Sequence, residues 1–276
     1  MIIVQFGKSG RLAQICEKAL KLTYANAMIY NVNRDGKFTS DSYDGRPVTQ
    51  NSVEALFKAY PEYKCIVVDA SVDHSSIQAL ITHETFKRET IATICRHGVL
   101  DRTIGFSSGI TLLDANRILP DAVHMLEYRC QKLAQQEQFL NLPCPVFLPR
   151  LFTLVGPITY AVQSAAWAQV LKARLKRETG TVLNEPQARK AWTSEFQVTR
   201  AVLNFLAEPT PISTMETIVS GEFTLAQIAD DVSLPLPALT YTLGQRAGWL
   251  VGDYLPPQSI REPLFIHDEL LRSLFH

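Results

Sequence analysis

The sequence predicts an α/β protein whose first part is a doubly wound parallel sheet and whose second part is a smaller, mostly helical lobe. Through about the first 150 residues, short apolar runs alternate with amphipathic helical patterns, which is typical of parallel strands joined by helices. Beyond Gly156-Pro157 the pattern turns mostly helical and is interrupted by prolines. We therefore expect residues 1–155 to form one domain and residues 156–276 a smaller lobe, with exchange of segments between them.

Apolar periodicity places the elements of the first part in order. The predicted strands are Ile2–Phe6, Ala27–Val32, Cys65–Val68, Thr103–Phe106 and Pro145–Leu148. The run that begins at Cys65 is apolar at every position, as expected for a strand that is buried on both faces. Helical spacing predicts helices over Arg11–Leu20, Ser52–Tyr60, Glu84–His97 and Glu127–Phe139. The segment from Asn33 to Gln50 is rich in Asp, Gly, Ser and Thr, which predicts a polar loop.

Charge and cysteine content exclude several classes of protein. Lysine plus arginine equals aspartate plus glutamate, at 27 residues each, so no basic surplus favours nucleic acid or an anionic membrane. The five cysteines are odd in number and never form a C-x-x-C pair, which argues against a disulfide framework or a zinc site. The chain also begins directly in a strand without a basic leader. We expect a cytoplasmic protein with no metal and a small-molecule partner.

One uncharged stretch, Leu151 to Leu171, is long enough to be compared with a membrane span. Gly156-Pro157 interrupts it, and Gln163 and Gln169 would be costly in lipid. A buried strand followed by a packed helix is therefore the favoured interpretation, and we expect no membrane partner.

The connection between the first strand and the first helix carries two glycines. It reads Gly7-Lys8-Ser9-Gly10-Arg11-Leu12, followed by a small residue, Ala13. Glycines allow a tight turn beneath a pyrophosphate, and the small residue lets the helix aim its positive N-terminus at the phosphates. The pattern predicts binding of a nicotinamide dinucleotide, although any strand can enter a helix through glycines, and that alternative stays open.

A tyrosine and a lysine four residues apart, Tyr128 and Lys132, share one face of a predicted helix. An adjacent ammonium stabilises phenolate and lowers the pKa of tyrosine, so that the pair could exchange a proton with a carbonyl or an alcohol. Ser108, at the end of the preceding strand, could bind the same oxygen. Spacing alone is weak evidence, because Tyr60 and Lys64 share it beside Pro61 and outside a helix.

The order of these features resembles the extended short-chain dehydrogenase/reductase superfamily. A glycine turn, a buried strand, a strand ending in serine, the helix with the pair and the segment from Leu148 to Pro157 follow one another along the chain. The opening Phe-Gly-Lys-Ser-Gly is similar to that of the dTDP-4-dehydrorhamnose reductase group of nucleotide-sugar reductases and the related sugar epimerases. The resemblance covers Met1 to about Val232, more weakly in its second half.

The resemblance implies a function and a set of roles. Tyr128 is then the acid/base, Lys132 binds the nicotinamide ribose and Ser108 positions the carbonyl of a nucleotide-activated sugar. The strand end at Asp69, Ala70 and Ser71 lies where the family contacts its cofactor. The implied activity is that of an NAD(P)-dependent reductase or epimerase-like enzyme.

Three departures from the family pattern bear on that activity. Arg129 follows the tyrosine where a small residue is usual, and Gly109-Ile110-Thr111 replaces the family's Tyr-Val-Phe. Asp69 stands where a small residue would admit the cofactor. The alternative is therefore a dinucleotide-binding sensor or partner protein of the same fold without catalysis.

The choice of cofactor depends on residues after the second strand. An acidic residue there favours NAD, whereas arginine favours the extra phosphate of NADP. This chain has Asn31 and Arg34 there, and Arg11 lies in the glycine turn, so NADP is preferred over NAD. Arg34 could equally be a solvated loop charge.

A second alternative is DNA binding, because Phe223 to Leu250 can be interpreted as a helix-turn-helix. Asp230 and Asp231 in this segment, together with Glu222 just before it, outnumber its one arginine, Arg246, so we expect no nucleic-acid partner. A homodimer remains an open possibility.

Overall fold

The structure is a computed structural model that describes residues 1–7, 10–32, 38–40, 51–71, 77–97, 99–118, 123–155 and 189–224. The chain divides into two compact units that interleave along the sequence. The first unit consists of Met1–Ser107, Leu133–Pro149 and Thr199–Glu216, and the second of Ser108–Lys132, Arg150–Val198 and Thr217–His276.

Twelve strands and five α-helices are described. The strands are β1 (Ile2–Phe6), β2 (Met28–Val32), β3 (Phe38–Ser40), β4 (Cys65–Asp69), β5 (Leu100–Gly105), β6 (Ser107–Ser108), β7 (Val146–Phe147), β8 (Arg150–Leu151), β9 (Thr153–Val155), β10 (Arg189–Ser194), β11 (Thr217–Ile218) and β12 (Gly221–Thr224). The helices are α1 (Arg11–Thr23), α2 (Asn51–Ala59), α3 (Ile77–Arg96), α4 (Val123–Leu140) and α5 (Glu195–Ala207).

A six-stranded sheet organises the first unit. Its strand order is β3-β2-β1-β4-β5-β7, and every neighbouring pair is parallel except the antiparallel pair β2 and β3. Chain order therefore reverses at β1, and the neighbouring carboxyl ends of β1 and β4 form the switch point at which open α/β sheets bind ligands. This arrangement confirms the predicted Rossmann-type parallel sheet.

The core of the first unit follows from the alternation of side chains along β1. Ile2, Val4 and Phe6 are fully buried and cluster with Phe57 of α2 and Ile94 of α3, among others. Burying each such side chain contributes roughly 1.5–3 kcal/mol to the free energy of folding. The apolar faces of α2 and α3 thus pack on the parallel strands and hold in place the strand ends that carry the candidate site.

Several boundaries differ from the sequence predictions. β3 lies inside the segment Asn33–Gln50, which the sequence predicts to be a polar loop, and it adds to the sheet through antiparallel pairing with β2. Helix α3 begins at Ile77 rather than near Glu84. Strand β5 begins at Leu100, before Thr103, because Leu100 and Arg102 already pair with Cys65 and Ile66 of β4, with a shift in register between these two pairs.

Arg102 fastens the end of α5 within the first unit. Its Nη1 donates to the carbonyl oxygens of Phe205 (3.1 Å), Leu206 (3.0 Å) and Glu208 (3.3 Å). A helix leaves its last carbonyls without partners, and a cation placed there satisfies them and complements the helix dipole. Residues 199–216 are therefore part of the same folded unit as β5.

Two three-stranded sheets account for the remaining strands, in the orders β12-β10-β9 and β11-β8-β6. β10 pairs in parallel with β9 and antiparallel with β12, and β8 pairs in parallel with β11. In the expected helical lobe, the described residues 189–224 thus contain three strands and one helix, more strand than the sequence predicts.

Several sequence predictions lie outside the described residues. These are the helix predicted after Gly156, the helix-turn-helix pattern from residue 225 onward, and most of the uncharged stretch to Leu171. The boundary near residue 155 stays a prediction. No helix among the described residues is long and apolar enough to cross a membrane.

Candidate functional site

The glycine turn packs directly on the end of β4. Gly7 has a φ of +89°, a conformation that side-chain-bearing residues rarely adopt. A Cβ at this position would lie 3.2 Å from the Ala70 oxygen and from the Cα and N of Ser71. Only glycine therefore allows β1 to turn at this point while the segment after β4 lies against it.

Helix α1 begins immediately after this turn, and its N-cap residue makes no side-chain hydrogen bond to the first amides of the helix. Its N-cap is Gly10, at φ −76° and ψ 154°, which has no side chain to accept from those amides, and its first turn contains no acidic residue. A Cβ on Gly10 would come no closer than 3.8 Å to the Ala70 oxygen, so its surroundings are open. A helix N-terminus of this kind binds phosphate through its N–H groups and dipole. The turn therefore fits the diphosphate of a dinucleotide.

Asp69, the last residue of β4, lies beneath this turn and is 1% exposed. Its Oδ1 accepts from the Ser71 amide (3.1 Å) and the Ser71 hydroxyl (2.5 Å). Its Oδ2 accepts from Lys87 Nζ (2.8 Å) and from the amide of Gln135. The carboxylate is thus engaged by protein groups on both oxygens.

Lys87, on α3, is only 2% exposed. Its ammonium lies 2.8 Å from Asp69 and 2.5 Å from Glu84. Burial lowers the pKa of Lys87, but the carboxylates of Asp69 and Glu84 outweigh burial and raise the pKa above its ordinary value. Lys87 is therefore a charged lysine enclosed by its partners.

The other predicted cofactor residues fall into two groups. Asn31 is fully buried, and its Oδ1 accepts from Gln5 Nε2 at 3.2 Å, while its own Nδ2 has no hydrogen-bond partner among the described residues. Arg11 and Leu12 are partly buried at the start of α1. Lys8, Ser9 and Arg34 lie outside the described residues, so their predicted roles stay predictions.

The predicted catalytic residues lie together in the second unit. Tyr128 shares a side-chain hydrogen bond with Ser108. The ammonium of Lys132, which is 2% exposed, lies over the Tyr128 ring at 5.8 Å from its centroid. Tyr128 also packs against an apolar cluster formed by Ile110, Leu113 and Ile118. The tyrosine, serine and lysine proposed from sequence are thus neighbours.

The pKa of Tyr128 shifts in the direction opposite to the sequence expectation. Burial raises it above the ordinary value of 10, and the hydrogen bond with Ser108 opposes the shift only in part. The expectation that Lys132 lowers this pKa is wrong for this arrangement, because the phenol is desolvated and the ammonium faces the ring. At neutral pH the Tyr128 hydroxyl is therefore protonated.

Two departures from the family pattern have a structural explanation. The ring of Phe152 occupies the space beside Gly109, with its Cζ only 2.5 Å from where a Cβ would stand, so a side chain is excluded there. Arg129 is turned to the loop, where its Nε donates to the Leu113 oxygen at 3.2 Å. Ser108 caps the short helical turn Gly109–Leu112, because its hydroxyl accepts from the Ile110 amide at 3.3 Å.

Sequence reasoning missed Lys87, Glu84 and Gln135. Each carries a polar side chain on a helix, a pattern that ordinarily indicates a solvated face. The one available signal was Asp69 itself, because a carboxylate at the end of a fully buried strand requires partners. Those partners come from α3 and α4, at sequence distances of 18 and 66 residues.

No protein-family model matches the sequence, and no curated protein is detectably similar to it. Solved structures share its fold over nearly the whole chain. The enzyme WbmG of Bordetella bronchiseptica in complex with NAD has a TM-score of 0.69 at 12% identity, covering 99% of this chain and 93% of that one. The UDP-glucuronic acid 4-epimerase of Bacillus cereus, in complex with UDP-glucuronic acid and NAD, has a TM-score of 0.65 at 12% identity, covering 99% and 98%.

The UDP-glucose 4-epimerase of Thermus thermophilus, in complex with NAD, likewise has a TM-score of 0.65 at 11% identity, covering 100% of this chain and 98% of that one. At such identities the likeness establishes the fold. The chain therefore has the Rossmann-type fold of these sugar epimerases, in agreement with the sequence prediction.

Proposed function

We propose that the protein is an NAD(P)-dependent reductase or epimerase-like enzyme that acts on a nucleotide-activated sugar. The observation that carries the proposal is the cluster of Tyr128 with Ser108 and Lys132 in a chain of this fold. A phenol that shares a hydrogen bond with a hydroxyl, next to a buried ammonium, is suited to move a proton at a carbonyl or alcohol oxygen. The substrate class is supported by the similar structures that hold UDP or UDP-glucuronic acid.

The glycine turn and the first turn of α1 bind the diphosphate of the cofactor. Gly7 and Gly10 keep the backbone free of side chains, and the amides at the start of α1 bind the phosphates. Ala70 and Ser71 form the wall of this site. The similar structures hold NAD, whereas Arg11 and Arg34 favour NADP. Binding of both dinucleotides, measured with and without Arg11→Ala, decides between them, because that change weakens NADPH binding selectively if Arg11 contacts the added phosphate.

The roles of the catalytic residues follow from their protonation. A nicotinamide supplies hydride transfer when bound. Because burial keeps Tyr128 protonated at neutral pH, it donates its proton to the oxygen that becomes an alkoxide on reduction. Ser108 binds the same oxygen, and Lys132 binds the ribose and restrains the phenol through its ring face.

The test is turnover with NADH or NADPH and a panel of 4-keto nucleotide sugars and UDP-sugars. Tyr128→Phe removes only the hydroxyl and lowers kcat by roughly 10²- to 10⁴-fold while the cofactor still binds. Tyr24→Phe is the control, because its hydroxyl donates to the Leu206 oxygen at 3.2 Å and takes no part in catalysis. Turnover that survives Tyr128→Phe contradicts the assignment.

The second candidate is a dinucleotide-binding sensor without catalysis. It is favoured by the raised pKa of Tyr128 and by Ser108, whose hydroxyl also caps a turn. Tight binding of a dinucleotide without turnover of any sugar in the panel supports this candidate. Failure to bind any dinucleotide contradicts both.

A further inference from the structure

A buried ion pair lies beneath the proposed cofactor site. Lys87 and Asp69 are both nearly inaccessible to solvent, and their charged atoms are 2.8 Å apart. Burying two charges is costly and is repaid only when every donor and acceptor finds a good partner. An apolar pair of similar volume would hold α3 on the sheet equally well, so general stability alone gives little reason for this pair.

The carboxylate of Asp69 is directed at Ser71. Both its bonds to that residue, from the amide and from the hydroxyl, fix the backbone two residues beyond the strand. Lys87 adds a contact of 3.4 Å to the Ser71 hydroxyl and holds the other carboxylate oxygen together with Gln135. The position of Ser71 is therefore set from three elements: β4, α3 and α4.

Ser71 in turn forms the surface on which the glycine turn rests. Its N and Cα lie 3.2 Å from where a Cβ on Gly7 would stand, and the Ala70 amide donates to the Phe6 oxygen at 3.0 Å. Because the two backbones approach so closely that only a glycine fits, a shift of Ser71 alters the surface on which the turn rests. The network and the turn are thus mechanically linked within one unit.

We infer that Asp69, supported by Lys87 and Gln135, is a positioning residue that holds the Ala70–Ser71 wall and the Gly7 turn in the conformation that binds a dinucleotide diphosphate. Asp69 acts through Ser71 and not by contact with the cofactor. Lys87 neutralises the carboxylate, which would otherwise repel the diphosphate nearby. This inference rests on the proposed function and adds to it residues that no glycine motif contains.

Two double variants separate positioning from charge and from stability. Asp69→Ala/Lys87→Met removes both charges and every bond to Ser71, whereas Asp69→Asn/Lys87→Met removes the same charges and keeps an acceptor for Ser71. The dissociation constants of NADH and NADPH are measured by calorimetry, and thermal unfolding is followed in parallel. A core variant on α3, Ile94→Ala, shows what loss of stability alone does to binding.

We expect the alanine double variant to bind the preferred dinucleotide about tenfold more weakly or worse, because the wall is no longer preorganised. The asparagine double variant should bind within about threefold of wild type, and Ile94→Ala should lose stability without losing affinity. Should the alanine double variant not fold, Ser71→Ala replaces it and should weaken binding by at least about threefold.

Wild-type affinity in the alanine double variant, or in Ser71→Ala where that replaces it, overturns the inference. Equal losses in both double variants, matched by Ile94→Ala, overturn it as well. A wild-type protein that binds neither dinucleotide overturns the proposed function and the inference with it. A wild-type protein that binds, with variants that bind equally well, overturns the inference alone.

Discussion

Replacement of Gly7 by alanine is the sharpest test of the turn geometry. The residue holds φ at +89°, and the new methyl group would meet three backbone atoms of Ala70 and Ser71 at 3.2 Å each. None of these atoms belongs to a side chain that could rotate away. The backbone of the turn or of the segment after β4 must move instead.

The cost can be built from its parts. A left-handed backbone costs an alanine roughly 1–2 kcal/mol, and crowding against fixed atoms adds roughly 1 kcal/mol. Alanine recovers about 0.5 kcal/mol because it restricts the unfolded chain. The free energy of unfolding should therefore fall by about 2 kcal/mol, which lowers Tm by about 4–8 °C in a chain of this size.

Gly10→Ala is the matched control in the same turn. Its φ of −76° suits any residue, and its Cβ would meet the Ala70 oxygen at an ordinary 3.8 Å. Stability should stay within about 0.5 kcal/mol of wild type or rise slightly. Circular dichroism should follow the unfolding, because it reports on the helices and strands around the turn. Equal Tm values for Gly7→Ala and wild type would refute the reasoning.

Three further outcomes are expected. Gly105→Ala places a methyl group against the edge of the Phe139 ring, closer than two carbon atoms can approach, and should lower the free energy of unfolding by about 1–3 kcal/mol in urea. Adding Phe139→Leu should recover part of this loss, and strictly additive effects would contradict the packing argument. Arg102→Met should lower the free energy of unfolding by about 3 kcal/mol, and Lys64→Met by less than about 1 kcal/mol. Both cations bind Asp101, but the Arg102 side chain is 10% exposed and the Lys64 side chain is 70% exposed, so equal losses would refute this reasoning. Burial raises the pKa of Tyr128 above 10, so the folded protein holds this proton more tightly than the unfolded chain does. The resulting contribution to the free energy of unfolding is fully present below pH 10 and is lost as the pH rises through the pKa of the folded state. Phenolate absorbance should therefore show no step below pH 10 that Tyr128→Phe removes, and a step near neutral pH would show that the phenol is not desolvated.

Local patterns made the sheet edge that carries the candidate site predictable. The apolar run before Gly7, the helical spacing after it and the uniformly apolar Cys65–Val68 are all contained in short windows of sequence. Their combination also predicted the sheet, because parallel strands need helical crossovers. The pair Tyr128 and Lys132 was accessible for the same reason, since one helical turn relates them.

Long-range pairing hid the rest. In the sequence, Lys87 looks like an ordinary charge on a helix, because its partner Asp69 lies 18 residues away on β4. Arg102 looks like an interruption of an apolar run, because its carbonyl acceptors lie about a hundred residues later, at the end of α5. The direction of the Tyr128 pKa shift depended on burial among Ile110 and its neighbours, which spacing does not reveal. The Lys132 charge was visible in the sequence, whereas its placement over the ring was not.

The contribution of residues 199–216 to the first unit constrains how a nascent chain can fold. While the ribosome has delivered only β1 to β7, the Arg102 guanidinium lacks the three carbonyl acceptors at the end of α5. Until these carbonyls are available, the guanidinium keeps its water and the sheet lacks part of its native packing, so the unit is completed only after the later segment has emerged. Synthesis of two of the three segments of the second unit therefore precedes closure of the first, and a fragment cut after the last strand of the sheet is not a self-sufficient module.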